Sequence, residues 1–167
     1  NHWPSRRGGE AISLPKRIAA AQLLKKQMDS VRLADPSVKL FAMRDFNDDP
    51  VSSSLKNHLK AQADAKDLSE TTPYLNLMYP LYKKGVASLA YQDAPNLFDQ
   101  IIVSKNVTSK EVGKDYSIYK AEIFAPPYIV NKEGNYRGYP FRSWNGDQFT
   151  GGYSDHFPAF VVLQKEP

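Results

Sequence analysis

The sequence predicts a domain of mixed helix and strand, α+β or α/β by pattern, and three observations carry that expectation. Apolar residues recur every three or four positions between Leu14 and Arg32, the period of an amphipathic helix. Short apolar runs at 38–43, 98–103 and 157–163 are bounded by charged or turn residues and have the length of strands. The composition, with 10 Tyr, 8 Phe and 12 Pro in 167 residues, favours strands joined by long, shaped loops.

In chain order, Ser5 to Gly9 reads as a loop, and the helix over 14–32 follows with Ser13 as N-cap and Pro15 in the first turn. Ile18, Ala21, Leu24, Met28 and Val31 form its apolar face, which must pack on a sheet. Asp35-Pro36 breaks the chain before a buried strand over Val38 to Met43, which delivers Arg44-Asp45-Phe46-Asn47-Asp48-Asp49-Pro50 to its end. Ser52 to Ser54 cap a short helix through Leu59, 60–72 is polar and exposed, and a helix over Leu75 to Lys84 stops at Gly85. Strands follow at Val86 to Tyr91, Phe98 to Val103, around Tyr119 to Phe124, and Phe157 to Leu163. The stretch 125–153, rich in Pro, Gly, Tyr, Trp and Asn, is an aperiodic loop long enough to be functional.

Several function classes are excluded by residue type. No run reaches the roughly 18 to 20 apolar residues of a bilayer-spanning helix. With no cysteine there is no disulfide scaffold, thiolate zinc site or cysteine nucleophile. The net charge of +4 lies wholly in residues 1–67 and is small enough for an ordinary solvated surface. No H-E-x-x-H zinc pattern, phosphate-cradling Gly-rich loop or G-x-S-x-G elbow occurs, and adjacent Ser154, Asp155 and His156 cannot face one another as a triad.

What remains is a small set of chemically capable residues. Of the 3 histidines, His58 sits among Lys56, Asn57 and Lys60 on a helical surface, whereas His2 and His156 lie in dense polar clusters at strand ends. Asp45 and Asn47 follow a predicted strand directly, where a sheet would hold their polar tips rigidly; an Asx turn before Pro50 is the competing reading. Asp99 enters an almost wholly apolar strand, so its carboxylate needs a partner, and a histidine or cation is the natural one. Hard oxygen donors beside neutral histidines suit a Mg²⁺-type ion completed by water and phosphate.

Asn1-His2-Trp3-Pro4-Ser5-Arg6, Asp45-Phe46-Asn47-Asp48, Phe98-Asp99-Gln100-Ile101 and Ser154-Asp155-His156-Phe157-Pro158, in this order, resemble the motifs of the endonuclease/exonuclease/phosphatase superfamily, the deoxyribonuclease I-like fold. The resemblance implies an α+β four-layer α/β/β/α sandwich of two mixed sheets and metal-dependent hydrolysis of phosphate esters, by default as a phosphodiesterase or nuclease. It implies that water attacks phosphorus in line, with His156 at the phosphate, oriented by Asp99, and His2 on the leaving side. Asp45 would position the nucleophile, Asn47 would donate to a phosphate oxygen, and Asp155 with Asp45 would hold Mg²⁺ or Mn²⁺. Arg6 and Arg44 are candidates for phosphate contact, and Trp144, with Tyr139 and Phe141, for stacking a nucleotide.

Two departures from the family pattern accompany the resemblance. Arg44 stands where family members usually have glycine before D-F-N, and it either obstructs the site or reaches the phosphate. The family's N-terminal sheet, with a metal-binding glutamate and an early asparagine, has no counterpart in these residues. The expectation is therefore that 1–167 form the C-terminal part of one such domain, supplying about half of the sandwich, with the N-terminal part as a partner beside the phosphate-ester substrate or nucleic acid. Two rival readings stand next to the nuclease: a phospholipid or inositol-phosphate phosphatase or phosphodiesterase of the same fold, and an inactive binding module.

Overall fold

The computed structural model describes residues 2–108 and 116–165; Asn1, the first residue of the first motif, lies outside them. Helix α1 (Glu10–Ala34) is followed by β1 (Phe41–Asp45), a π-helical turn (Ser54–Leu59), β2 (Ala61–Gln62) and β3 (Tyr74–Asn76). Next come α2 (Tyr79–Lys83), β4 (Leu89–Tyr91), β5 (Ala94–Asn96) and β6 (Asp99–Ser104). Then β7 (Tyr116–Ile123), two single 3-10 turns, β8 (Trp144–Asn145), β9 (Gln148–Phe149) and β10 (Ala159–Lys165) complete the order. Helix and strand are both substantial, and the fold is α+β.

The main sheet runs β1-β6-β3-β2, with β6 antiparallel to both β1 and β3, and β2 parallel to β3. On one face Ala42, Tyr74 and Ile102 pack with Ala21, Leu24 and Met28 of α1 and with Trp3, Phe46, Leu55 and Leu59. On the other face Leu75, Ile101 and Val103 meet Ile118, Ala121, Ala159 and Val161 of the β7–β10 ribbon. Strand β6 is thus buried on both sides, as its uninterrupted apolar run predicts, and each of its fully buried aliphatic side chains contributes about 1.5–3 kcal/mol.

Several elements differ from the sequence expectation. Ser52 to Ser54 supply no side-chain cap to the π-helical turn, and the 125–153 stretch holds the β8–β9 hairpin. Helix α1 begins at Glu10, with Gly9 in the cap position at φ 98°. Ser13 is buried inside the first turn with its hydroxyl on the Gly9 carbonyl, so it is no N-cap, and Pro15 falls in the second turn. The buried stripe is Ser13, Arg17, Ala21, Leu24 and Met28, which leaves Val31 exposed, because Arg17 rather than Ile18 turns inward. The predicted helix over 75–84 is a strand, β3, and then the single short helix α2. Its start is forced by the Asn76 side chain, which accepts from the Met78 N–H at 3.0 Å, and by Pro80 in the first turn. The stop at Gly85 holds, at φ 76°. Strand β1 pairs only with β6 and begins at Phe41, so Met43 is exposed where a buried strand over 38–43 was expected.

Candidate functional site

The end of the main sheet is where the polar residues collect. In the β1–β6 ladder Asp45 lies directly opposite Asp99, an arrangement of like charges that is unfavourable unless cations or donors are near. Each carboxylate has a histidine. His156 Nδ1 lies 2.6 Å from Asp99 Oδ2, both side chains largely buried, and His2 Nε2 lies 3.3 Å from Asp45 Oδ2 with the His2 ring half in solvent. The backbone sets both pairs. The Trp3 N–H donates to the Asp45 carbonyl at 3.2 Å and carries His2 alongside β1. The Phe157 N–H donates to the Ser88 carbonyl at 2.7 Å while the Ser88 hydroxyl accepts from the Asp99 N–H at 3.2 Å, so one buried serine joins the His156 segment to the start of β6.

Burial would draw the His156 pKa down, but the hydrogen bond that the ring donates to Asp99 and the fields of Asp99, Asp45 and Asp155 outweigh it and hold the imidazole above its ordinary value. A raised folded-state pKa means that the pair's stabilisation is complete below the unfolded value of about 6.5 and is lost as pH rises through the folded value. In metal-free buffer, a proton NMR titration is expected to place His156 above 6.5, and Asp99→Asn to bring it down; no change in that variant would remove Asp99 as the cause.

The D-F-N segment is the tightest part of the site. Asn47 takes φ 52°, and its backbone N–H closes an Asx turn on Asp45 Oδ1 at 2.7 Å. Its side-chain Nδ2 donates to the Trp3 carbonyl at 2.9 Å and to Asp45 Oδ2 at 3.3 Å, so donation to a phosphate oxygen would require it to exchange one of these partners. Beneath it Asp48 is fully buried. Its Oδ1 receives Arg6 Nη2 at 3.1 Å and faces Arg17 Nε at 2.9 Å, the latter off line for a hydrogen bond, and its Oδ2 receives the Ser54 hydroxyl. Arg17 is itself fully buried, and its two terminal nitrogens donate to Ser13 and to Glu10. Asp49 caps the Leu97 N–H at 2.7 Å, and burial pushes its carboxyl above the usual range.

A cleft of about 640 Å³ adjoins this cluster, lined by the Ser5–Gly9 loop, Asn47, Phe98, His156 and the β4–β5 hairpin residues Leu89, Tyr91 and Asn96. Asp155 is exposed next to His156. Arg6 lines the cleft but is ion-paired with Asp48, Asp49 and Glu10 and lies over the Phe98 ring at 4.6 Å. Arg44 takes φ 156°, a backbone state in which glycine is at ease, and lines a separate hollow of about 100 Å³ with Met43, Asp99 and Gln100. Trp144 sits on the β8–β9 hairpin against Phe149, ring centroids 5.2 Å apart, and is absent from the cleft lining. His58 lies beside α1 in a hollow that shares no residue with the cleft.

The order of the four motifs is now also their convergence, since His2, Asp45, Asp99 and His156 meet at one sheet end. A family model described as endonuclease/exonuclease/phosphatase matches residues 1–165. The chain belongs to the endonuclease/exonuclease/phosphatase family. No curated protein and no solved structure matches it. Family membership suggests a hydrolytic enzyme of phosphoester type, and members of this family are generally dependent on a divalent metal.

The donor set fits a hard cation in kind but not in number. Asp45, Asp99 and Asp155 are oxygen donors of the right chemistry, yet two of them are occupied by histidines, and among the described residues no three His, Asp or Glu side chains converge closely enough to hold an ion. No helix of the described residues is long and apolar enough to cross a membrane. Sequence reading gave no role in this site to Arg17, Asp48, Tyr91 or Asn96. Asp48 closed the D-F-N-D motif, and Arg17 left a signal as a cation on the same helical stripe as Ala21, Leu24 and Met28.

Proposed function

We propose that this family member is a divalent-metal-dependent phosphodiesterase of nuclease type, in which water attacks phosphorus in line. The observation that carries the reading is the 2.6 Å His156–Asp99 pair on the wall of the cleft, facing the His2–Asp45 pair across one strand spacing. His156, kept protonatable near neutral pH, would donate to the phosphate and stabilise charge as it develops, and Asp99 would hold its ring in place. Asp45 would orient the attacking water, and His2 would face the leaving oxygen. Asn47 would steady the phosphate, exchanging one of its present partners to do so.

Asp155 and Asp45 would hold Mg²⁺ or Mn²⁺, with further ligands from outside this chain. When bound, such an ion neutralises phosphate charge and lowers the pKa of its water. Exposed apolar side chains on the ribbon support the domain proposal, that 1–167 supply about half of a four-layer sandwich: Tyr116, Tyr119 and Leu163 stand in solvent, and the rest of the domain would cover such side chains. Expressed alone, 1–167 are expected to aggregate, and a soluble monomer with two-state unfolding would overturn that proposal.

The functional test uses the full-length protein and bis-p-nitrophenyl phosphate. Hydrolysis is expected with Mg²⁺ or Mn²⁺ and is expected to stop in EDTA. Turnover indifferent to both EDTA and His156→Ala would overturn the reading, and binding without any turnover would leave the inactive module in its place.

A further inference from the structure

We propose that the cleft beside His156 is a subsite for the planar base of a nucleotide, with Tyr91 as its stacking platform and Arg7 as the cation for an adjoining phosphate. The proposal rests on the reading of His156 as the residue at the scissile phosphate. The cleft's volume, about 640 Å³, falls in the range of small-ligand sites. Leu89, Tyr91 and Phe98 give it apolar lining, and the Ser5–Gly9 loop brings two arginines to it.

The two arginines differ in what they have left to offer. Arg6 is spent on Asp48, Asp49 and Glu10, whereas Arg7 is exposed and makes no ion pair among the described residues. The aromatic rings differ in the same way. Phe98 is covered by the Arg6 guanidinium at 4.6 Å, while Tyr91 is 67% exposed and makes no ring contact among the described residues.

Tyr91 is also held in place. Gln92 and Asp93, at φ 48° and 62°, form the two-residue turn of the β4–β5 hairpin. The Asp93 N–H donates to the Tyr139 hydroxyl at 2.9 Å, and that hydroxyl donates back to the Asp93 carboxylate. The long loop 125–153 thus braces the platform rather than supplying it. Asn96 commits its Nδ2 to the Ala94 carbonyl at 2.9 Å, which leaves Oδ1 to accept from a base edge.

Rival ligands fit less well. An inositol phosphate would place hydroxyls against Leu89, Tyr91 and Phe98 without partners, and an acyl chain would desolvate Arg7 and Asn96 unpaired. A base offers a π-face to Tyr91, an edge to Asn96 and a phosphate to Arg7.

The test compares thymidine 5′-(p-nitrophenyl phosphate) with methyl p-nitrophenyl phosphate on the full-length protein, since both release the same group. The nucleoside ester is expected to have the higher kcat/KM, Tyr91→Ala to cut that preference about 10-fold, Tyr91→Phe to retain it, and Tyr119→Ala on β7 to leave it unchanged. An unchanged preference in Tyr91→Ala, or a wild-type preference for p-nitrophenylphosphorylcholine, would overturn the proposal. A second readout needs no turnover: NMR titration of thymidine 5′-monophosphate in EDTA, against glycerol phosphate, with weaker binding expected in Tyr91→Ala. Tyr91-dependent binding without hydrolysis would overturn the hydrolase and keep the cleft, whereas hydrolysis without Tyr91 dependence would do the reverse.

Discussion

Replacing His156 by alanine is expected to lower kcat by about 10²–10⁴-fold with a much smaller change in KM, the range for loss of a positioned proton donor or acceptor. The ring is largely buried, its Nδ1 is committed to Asp99, and it stands on the cleft wall, so the remaining nitrogen is the one free to meet a phosphate oxygen. Asp99→Asn should act through the same ring. It removes the charge that holds the imidazole above its ordinary pKa, so it is expected to reduce kcat and to shift the pH–rate profile of the histidine to lower pH. A His156→Ala variant with unaltered kcat would remove this residue from the chemistry, and an Asp99→Asn variant slowed at every pH without a shift would make Asp99 a structural residue only.

The largest expected effect on stability lies beneath the site rather than in it. Arg17 and Asp48 are each fully buried, and Asp48 is shared with Arg6 and Ser54. Removing one partner of such a cluster strands the other charge out of water, so Arg17→Met is expected to cost about 3–5 kcal/mol, a large share of the 5–15 kcal/mol typical of a folded domain. Urea unfolding of the full-length protein measures it. Arg17→Met combined with Asp48→Leu and Ser54→Ala should recover part of the loss, because the buried charge and the hydroxyl it accepted from are then both replaced by apolar groups that need no partner. A single-variant loss below about 1 kcal/mol would mean that Arg6 and Ser54 alone satisfy Asp48. Because Asn47 and Asp45 sit on the same segment, stability and geometry of the site depend on this one buried cluster.

Much of the framework was readable because its signals are local. The continuous apolar run of β6, the positive-φ glycine at 85 and the period of α1 each depend on neighbours within a few residues. Where the local signal was ambiguous the reading failed. The apolar stretch from Leu75 has the composition of a helix or a buried strand, and only its place between β6 and β2 makes Tyr74–Asn76 a strand. Likewise the helical stripe of α1 could be assigned to Ile18 or Arg17 by spacing alone, and a buried anion on another element decided for the arginine.

The site divides along the same line. Residue type and order were sufficient to name His2, Asp45, Asn47, Asp99 and His156 as candidates, since the chemistry of phosphate esters draws on few side chains and each sat in a recognisable motif. The sequence by itself determined, then, the family, a class of mixed helix and strand, and the polar residues that are the candidates for the site. Only the tertiary structure decided that Asp45 and Asp99 stand side by side, that His156 reaches across 57 positions to Asp99, and that Tyr91 rather than Trp144 borders the cleft. Local patterns report the few bonds a residue makes along its own element, whereas ion pairs, clefts and platforms are set by packing between elements far apart in the chain, which periodicity does not encode.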